Sequence, residues 1–231
     1  GIDVERFYLE NNQDLDPLKK REELGLKKDD FVILFVGRIG TEKNIDLLLS
    51  SMKSLISVSP KIKLLIVGDG PDLEDYQKYV SKNGIAKNVI FTGKVPWKNI
   101  VSYYLISDIF ATASQTETQG LTVIEAMAAS LPVVCINDES FRDTVINDLN
   151  GFVFNNRREY KRDILKLYKD KNLLSHTIGY INKTDKNGVS GIEKDMNSEL
   201  KNSNEKYISV FKAGDLGLKS GLKLVEGSVS K

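Results

Sequence analysis

Three stretches of the sequence combine charge and glycine in a way that suits an anionic, hydroxyl-rich ligand. In Ser114-Gln115-Thr116-Glu117-Thr118-Gln119-Gly120-Leu121-Thr122-Val123-Ile124-Glu125-Ala126-Met127, seven residues separate the two glutamates. Glu117 precedes a helix expected to start near Gly120, and Glu125 lies about one and a half turns inside it. The N–H groups of Gly120, Leu121 and Thr122 at such a start form an anion site aligned with the helix dipole. The two carboxylates can then accept hydrogen bonds from hydroxyls on either side of a bound diphosphate. The bland alternative makes Glu117 a helix-start charge and Glu125 a core-edge carboxylate. Glu125 sits among Val123, Ile124, Ala126, Met127 and Ala128, where a charge needs a partner, and that favours a binding role.

The second stretch, Gly37-Arg38-Ile39-Gly40-Thr41-Glu42-Lys43, offers two cations from one loop. Arginine binds phosphate in bidentate fashion, whereas lysine acts as a point charge. Taken alone, the loop reads almost as well as a solvated turn. The third, Gly68-Asp69-Gly70-Pro71, lets a ligand pass close to the backbone. It lacks the third glycine of a dinucleotide fingerprint, which disfavours an oxidoreductase. A tight turn leading into a helix with Pro71 at its first position accounts for it equally.

Other chemistry is weaker. Cys135 lies in the apolar run Pro132–Ile136 and reads as a buried thiol in a reducing compartment, while the single histidine, His176, stands in a polar segment far along the chain. Asp14-Leu15-Asp16 has the D-x-D form of metal-dependent sugar transferases, but it precedes Pro17 with no strand before it. Helix capping explains it better. No metal site is expected.

These residues need a scaffold, and the hydrophobic pattern supplies one. Phe31–Val36, Ile62–Val67, Val89–Thr92, Asp108–Thr112, Pro132–Ile136 and Gly151–Phe154 read as strands. Phe31–Val36, Leu64–Val67 and Val133–Ile136 are apolar on both faces, as strands covered by helices on both sides must be. Helices are expected over Asn44–Ile56, Asp72–Asn83, Trp97–Ile106, Gly120–Ala129 and Ser140–Ile146, with Asn44 capping the one that buries Leu47, Leu48 and Met52. Asn83-Gly84 and Ser59-Pro60 are stop signals. The alternation predicts an α/β fold, a Rossmann-like doubly wound parallel sheet whose ligands sit beyond the C-terminal strand ends. From Arg157 onward the pattern turns helical and polar; Lys183–Asn204 has few apolar positions, and Ala213–Lys231 reads as disordered.

Composition excludes extremes. Lys plus Arg number 33 against 32 Asp plus Glu, so no strong field draws the chain to nucleic acid or anionic lipid. No apolar run approaches the roughly 18 residues of a membrane span. The chain opens on Gly1 with no signal segment, which suggests a fragment whose beginning is missing.

Taken together, the motifs resemble family-4 glycosyltransferases of the two-domain GT-B type. The Glu117–Glu125 pair is similar to their E-x7-E signature, and Glu125-Ala126-Met127-Ala128-Ala129-Ser130-Leu131-Pro132-Val133-Val134 to its usual continuation. The resemblance runs from Gly1-Ile2-Asp3-Val4-Glu5-Arg6-Phe7, which looks like the interdomain linker, to about Tyr168. It includes Val36-Gly37-Arg38, Gly68-Asp69-Gly70 and Phe91-Thr92-Gly93-Lys94-Val95. It implies that Arg38 and Lys43 hold the donor diphosphate, with Gly37, Gly68, Asp69 and Gly70 beside the nucleotide and Val95 following the motif that meets the base. It further implies that Glu117 binds sugar hydroxyls, Gly120, Leu121 and Thr122 cradle phosphate, and Glu125 binds ribose.

Retaining, metal-independent transfer from UDP-glucose or a close relative would follow, with the nucleotide sugar as substrate and no cofactor. The Thr116-Glu117-Thr118-Gln119-Gly120 variant resembles bacterial glucosyltransferases acting on diacylglycerol. That match implies a cytoplasmic protein in peripheral contact with the inner face of the membrane. Two departures stand against the family pattern: the acceptor-binding N-terminal domain is absent, and only Tyr207 and Phe211 remain of a closing aromatic helix. The organisation expected is a linker over 1–16, a nucleotide-sugar domain over 17–169, a helical tail over 170–212 and disorder over 213–231. A non-catalytic nucleotide-sugar-binding module remains an open alternative to the enzyme.

Overall fold

The computed structural model describes Asp3, residues 5–115 and residues 120–177. The expectations placed on Glu117, Lys183–Asn204, Tyr207, Phe211 and the 213–231 segment therefore lie outside the described residues. The chain divides into two compact units, Gly1–Asp163 and Ile164–Lys231. The first holds the sheet; the described part of the second is the continuation of one helix.

Six strands build one sheet: β1 (Phe31–Val36), β2 (Ile62–Val67), β3 (Val89–Phe91), β4 (Ile109–Thr112), β5 (Val133–Ile136) and β6 (Gly151–Phe154). Their order is β3-β2-β1-β4-β5-β6, and every pairing is parallel. The expected strands are all present, with ends shifted by no more than one residue. The two-sided apolar pattern is matched by burial: Phe31 to Phe35, Leu64 to Val67 and Val133 to Ile136 are all buried. Each large side chain so buried stabilises the fold by about 1.5–3 kcal/mol relative to exposure.

The helices are α1 (Pro17–Glu23), α2 (Ile45–Val58), α3 (Leu73–Lys82), α4 (Val101–Leu105), α5 (Leu121–Ala128) and α6 (Arg157–Thr177). Asp16 caps α1 by accepting from the N–H groups of Leu18 and Lys19, with Pro17 at the first helical position. That accounts for the Asp14–Asp16 motif. Asn83 and Ser59 end α3 and α2, and Gly84 follows in the left-handed region at φ 69°.

Three local expectations are corrected. Asn44 precedes α2 at φ 50° and makes no side-chain cap, because it also closes a 3₁₀ turn over Thr41–Lys43. The buried stripe of α2 is Ile45, Leu48, Leu49, Met52 and Leu55, and Leu47 is only half-buried. The helix expected over Ser140–Ile146 shrinks to a 3₁₀ turn at Glu139–Phe141. There the Asn150 side chain intercepts the backbone, accepting from Ile146 N–H at 2.8 Å and donating to Thr144 C=O at 2.9 Å. Such side-chain bonds compete directly with helix bonds. The helix expected over Trp97–Ile106 is divided into a 3₁₀ turn at Trp97–Asn99 and the short α4.

The segment expected as a linker is seated on the domain. It forms 3₁₀ turns at Glu5–Phe7 and Leu9–Asn12, and Phe7 is fully buried. Its ring meets Trp97 and Tyr104 edge-on, at 6.1 and 5.3 Å between centroids.

Candidate active site

In a doubly wound sheet, ligands bind where the strand order reverses, beyond the C-terminal ends of the two central strands. Here that point lies between β1 and β4. Gly37, Arg38 and Lys43 follow β1 directly, and Ser114 follows β4.

Backbone contacts stitch the neighbouring loops together. Gly37 N–H donates to Val67 C=O at 3.0 Å, Ile39 N–H to Asp69 C=O at 3.0 Å, and Gly68 N–H to Gly93 C=O at 3.2 Å. The loops after β1, β2 and β3 thus form one layer. Glycine is required in it for packing: a Cβ on Gly68 would meet the Gly37 carbonyl oxygen, and one on Gly70 the Ile39 carbonyl oxygen, each well inside contact distance. Gly68 also holds a φ of 149°, which L side chains rarely adopt. These glycines thus also let two protein loops approach each other closely. Asp69 is exposed and its side chain accepts from Gly70 N–H at 2.8 Å. Val95 is half-buried, four residues past β3.

The two cations of the first loop differ. Arg38 is exposed, whereas Lys43 is half-buried and its Nζ donates to Ser114 Oγ at 3.4 Å. Ser114 is fully buried, and its own N–H donates to Thr112 Oγ1 at 3.3 Å. Lys43 is thereby drawn across the switch point from β1 toward β4.

Helix α5 starts beside this point. Gly120 takes a φ of 54° ahead of it, and the N–H groups of Val123 and Ile124 both return to Gly120 C=O. The first-turn N–H groups of Leu121 and Thr122, with that of Gly120, are those a helix cannot satisfy internally. Gly120 packs on Phe141: a Cβ there would lie 3.2 Å from the ring.

Glu125 is 3 % exposed, and its Oε2 accepts a hydrogen bond from Tyr104 Oη at 2.6 Å. Burial pushes its carboxyl above the ordinary range, while the Tyr104 hydroxyl and the positive charge of Arg6 pull it back. Tyr104 itself is held well above the usual phenol value, by burial first and then by the Glu125 charge. The partner that a buried Glu125 required is therefore a tyrosine from α4. Sequence reading missed Tyr104, Ser114 and the Arg6–Phe7 pair as site residues. Only the need for a Glu125 partner pointed toward them. Cys135 is buried in β5, and its thiol is pushed up to about 12, chiefly by burial. Among the described residues no cluster of His, Cys, Asp and Glu could hold a metal ion, and no helix is long and apolar enough to cross a membrane.

The architecture is that of a Rossmann-like half of a GT-B protein, and solved structures agree with it. Anabaena Alr3699/HepE in complex with UDP superposes with a TM-score of 0.65 at 18 % identity, over 99 % of this chain and 56 % of that one. The C-terminal domain of a glycosyl transferase group 1 family protein, LpcC, from Francisella tularensis gives 0.64 at 22 % identity, over 75 % of this chain and 90 % of that domain. The chain belongs to the glycosyl transferases group 1 family, whose sequence pattern matches residues 17–184. Among curated proteins, an alpha-monoglucosyldiacylglycerol synthase of Acholeplasma laidlawii is 33 % identical over 174 residues, 75 % of this chain and 44 % of that protein. One of the same name from Streptococcus pneumoniae is 28 % identical over 179 residues, 77 % of this chain and 41 % of that protein. The chain thus spans less than half the length of these relatives.

Proposed function

We propose that this chain is the donor-binding half of a hexosyltransferase, holding UDP-glucose or a close relative for retaining, metal-independent transfer. The observation that carries this reading is the Lys43–Ser114 contact across the β1–β4 switch point, with Arg38 on the same loop as Lys43 and α5 the helix that follows β4, in a chain of this family. As the glycosidic bond breaks, charge builds on the departing diphosphate. Arg38, Lys43 and the N–H groups of Gly120, Leu121 and Thr122 offset it as fixed donors, the kind of pre-aimed stabilisation that lowers such barriers most. In this reading Glu125 takes the ribose, Glu117 the hexose hydroxyls, and Gly37, Gly68, Asp69, Gly70 and Val95 border the nucleoside. No cofactor takes part.

Acceptor binding falls to an N-terminal half of the GT-B pair, and diacylglycerol is the acceptor class we favour. Support for that class comes from the two relatives named as monoglucosyldiacylglycerol synthases. A lipid acceptor would bring a cytoplasmic enzyme into peripheral contact with the inner face of the membrane. The second reading is a module that binds the nucleotide sugar without turnover; the Lys43–Ser114 contact at the switch point serves binding in either case.

Calorimetry with UDP and UDP-glucose tests the donor site. Glu125→Gln should weaken both ligands alike, whereas Glu117→Gln should spare UDP and lose the increment contributed by the sugar. If Glu117→Gln weakens UDP as much as Glu125→Gln does, the division of labour is wrong. The 231-residue chain should bind UDP yet transfer no glucose by itself. Glucose transfer by the chain joined to the preceding half would decide for the enzyme over the module.

A further inference from the structure

The carboxylate assigned to the ribose is not free-standing. Tyr104 lies on α4, is fully buried, and spends its hydroxyl on Glu125 Oε2 at 2.6 Å. Its ring is fixed on two sides. Phe7, from the segment ahead of α1, meets it edge-on at 5.3 Å and 89°, and Phe110 of β4 stacks on it at 6.0 Å and 20°. Phe7 is held in turn by its neighbour: Arg6 lies 4.7 Å over the Trp97 ring and donates to Trp97 C=O at 3.0 Å. A continuous contact therefore runs from Arg6 and Phe7, through Tyr104, to one oxygen of Glu125.

We infer that Tyr104, braced by Phe7, is a positioning residue that fixes Glu125 for ribose recognition, so that the segment ahead of α1 contributes to nucleotide specificity. The inference rests on the proposed role of Glu125. A carboxylate that accepts from a fixed phenol through Oε2 keeps Oε1 for a ligand hydroxyl and cannot rotate away. Without the phenol, a carboxyl in these apolar surroundings would protonate or turn, and either change removes an acceptor. The titratable or charged groups facing Glu125 are the neutral Tyr104 hydroxyl from α4 and the Arg6 cation from the segment ahead of α1. Strands β4 and β5, which pack under α5, bring only the neutral Cys135 thiol.

The test is discrimination between hydroxylated and deoxy ribose. Dissociation constants of the 231-residue chain are measured for UDP, 2′-deoxy-UDP and 3′-deoxy-UDP, then repeated for Glu125→Gln, Tyr104→Phe and Phe7→Leu. Glu125→Gln should remove most of the preference for UDP. Tyr104→Phe keeps the ring and its packing but should narrow the preference by roughly three- to tenfold, the scale of losing one typical net hydrogen bond. Phe7→Leu should narrow it in the same direction, and it decides the matter if Tyr104→Phe fails to fold. A purely structural role would weaken all three ligands equally and leave the ratios unchanged. If Glu125→Gln narrows the preference while Tyr104→Phe and Phe7→Leu do not, the positioning role is overturned and the ribose assignment stands. If Glu125→Gln leaves the ratios untouched, or the unaltered chain binds no UDP, both fall.

Discussion

Lys43 Nζ donates to the buried Ser114 Oγ at 3.4 Å, so a cation on the loop after β1 is anchored to the end of β4. The strands pair directly, Ile33 with Ile109 and Leu34 with Phe110, and this contact continues their alignment past the last ladder bond. An ammonium held in that way loses less freedom on meeting a phosphate than one on an unrestrained stem, and that pre-organisation favours binding.

Removing either cation should therefore weaken the nucleotide and leave the fold intact. We expect Arg38→Ala and Lys43→Ala each to cost about 1.5–3 kcal/mol in UDP affinity, roughly ten- to a hundredfold. Ser114→Ala should cost less, because it removes one hydrogen bond to the lysine without deleting its charge. Titration calorimetry, with circular dichroism as the control for folding, separates the three. Unchanged UDP binding in both cation variants would remove Arg38 and Lys43 from the site.

The loop glycines should fail for the opposite reason. Gly68→Ala places a Cβ against the Gly37 carbonyl at a φ of 149°, so the strain falls on the fold first. Strained backbone of this kind costs of order 1–3 kcal/mol before the clash is relieved. A lower urea midpoint for Gly68→Ala than for Gly84→Ala, whose Cβ would meet nothing within 4 Å, is the expected result.

Arg21 is a structural cation, and its loss should be felt as stability alone. It is buried, donates to the carbonyls of Ile106, Lys28 and Asp30, and reaches Asp108 Oδ2 at 3.0 Å. Asp108 also accepts from Val32 N–H at 2.8 Å, so the pair ties α1 to the starts of β1 and β4. Breaking one side of such a pair costs about 3–5 kcal/mol. Arg21→Lys should recover little, since an ammonium cannot reproduce the guanidinium fork. Denaturant midpoints for the two variants check both statements.

Cys135 predicts an alkaline limb. Its thiol ordinarily titrates near 9.0 and is pushed up to about 12 in the folded chain. Between those values the unfolded chain holds fewer protons than the folded one. Stability from this group is therefore complete below pH 9 and is lost as pH rises toward 12, by at most about 1.4 kcal/mol per unit. The buried Tyr104 and Tyr160 hydroxyls are raised as well and add to the same fall. Cys135→Ala should accordingly decline less steeply between pH 9 and 11 than the unaltered chain, whatever its offset at neutral pH.

The sheet was legible because its signal is local: a run such as Phe31 to Val36 can be buried only between two layers of helix. The loops were legible because glycine and charge follow strands at the same places each time. What escaped was non-local. Tyr104 reads as one more core aromatic until α4 and α5 are brought together, and nothing in the spacing of residues 104 and 125 foretells a hydrogen bond. Likewise Asn150, four residues beyond the expected Ser140–Ile146 helix, gave no sign that it would dissolve that helix. That Gly68 also packs against the Gly37 carbonyl was equally hidden, since a sequence does not show which loops meet.

The strand order has a consequence for synthesis. β1, the longest strand that is apolar at every position, pairs with β2 on one side first but must wait on the other for Ile109. Until that residue has left the ribosome, one side of β1 offers unmatched N–H and C=O groups along an apolar ribbon, the arrangement most prone to pair with another chain. A nascent or cleaved product ending between β3 and β4 is thus the aggregation-prone species, and a chaperone that engages this protein should meet it during that interval.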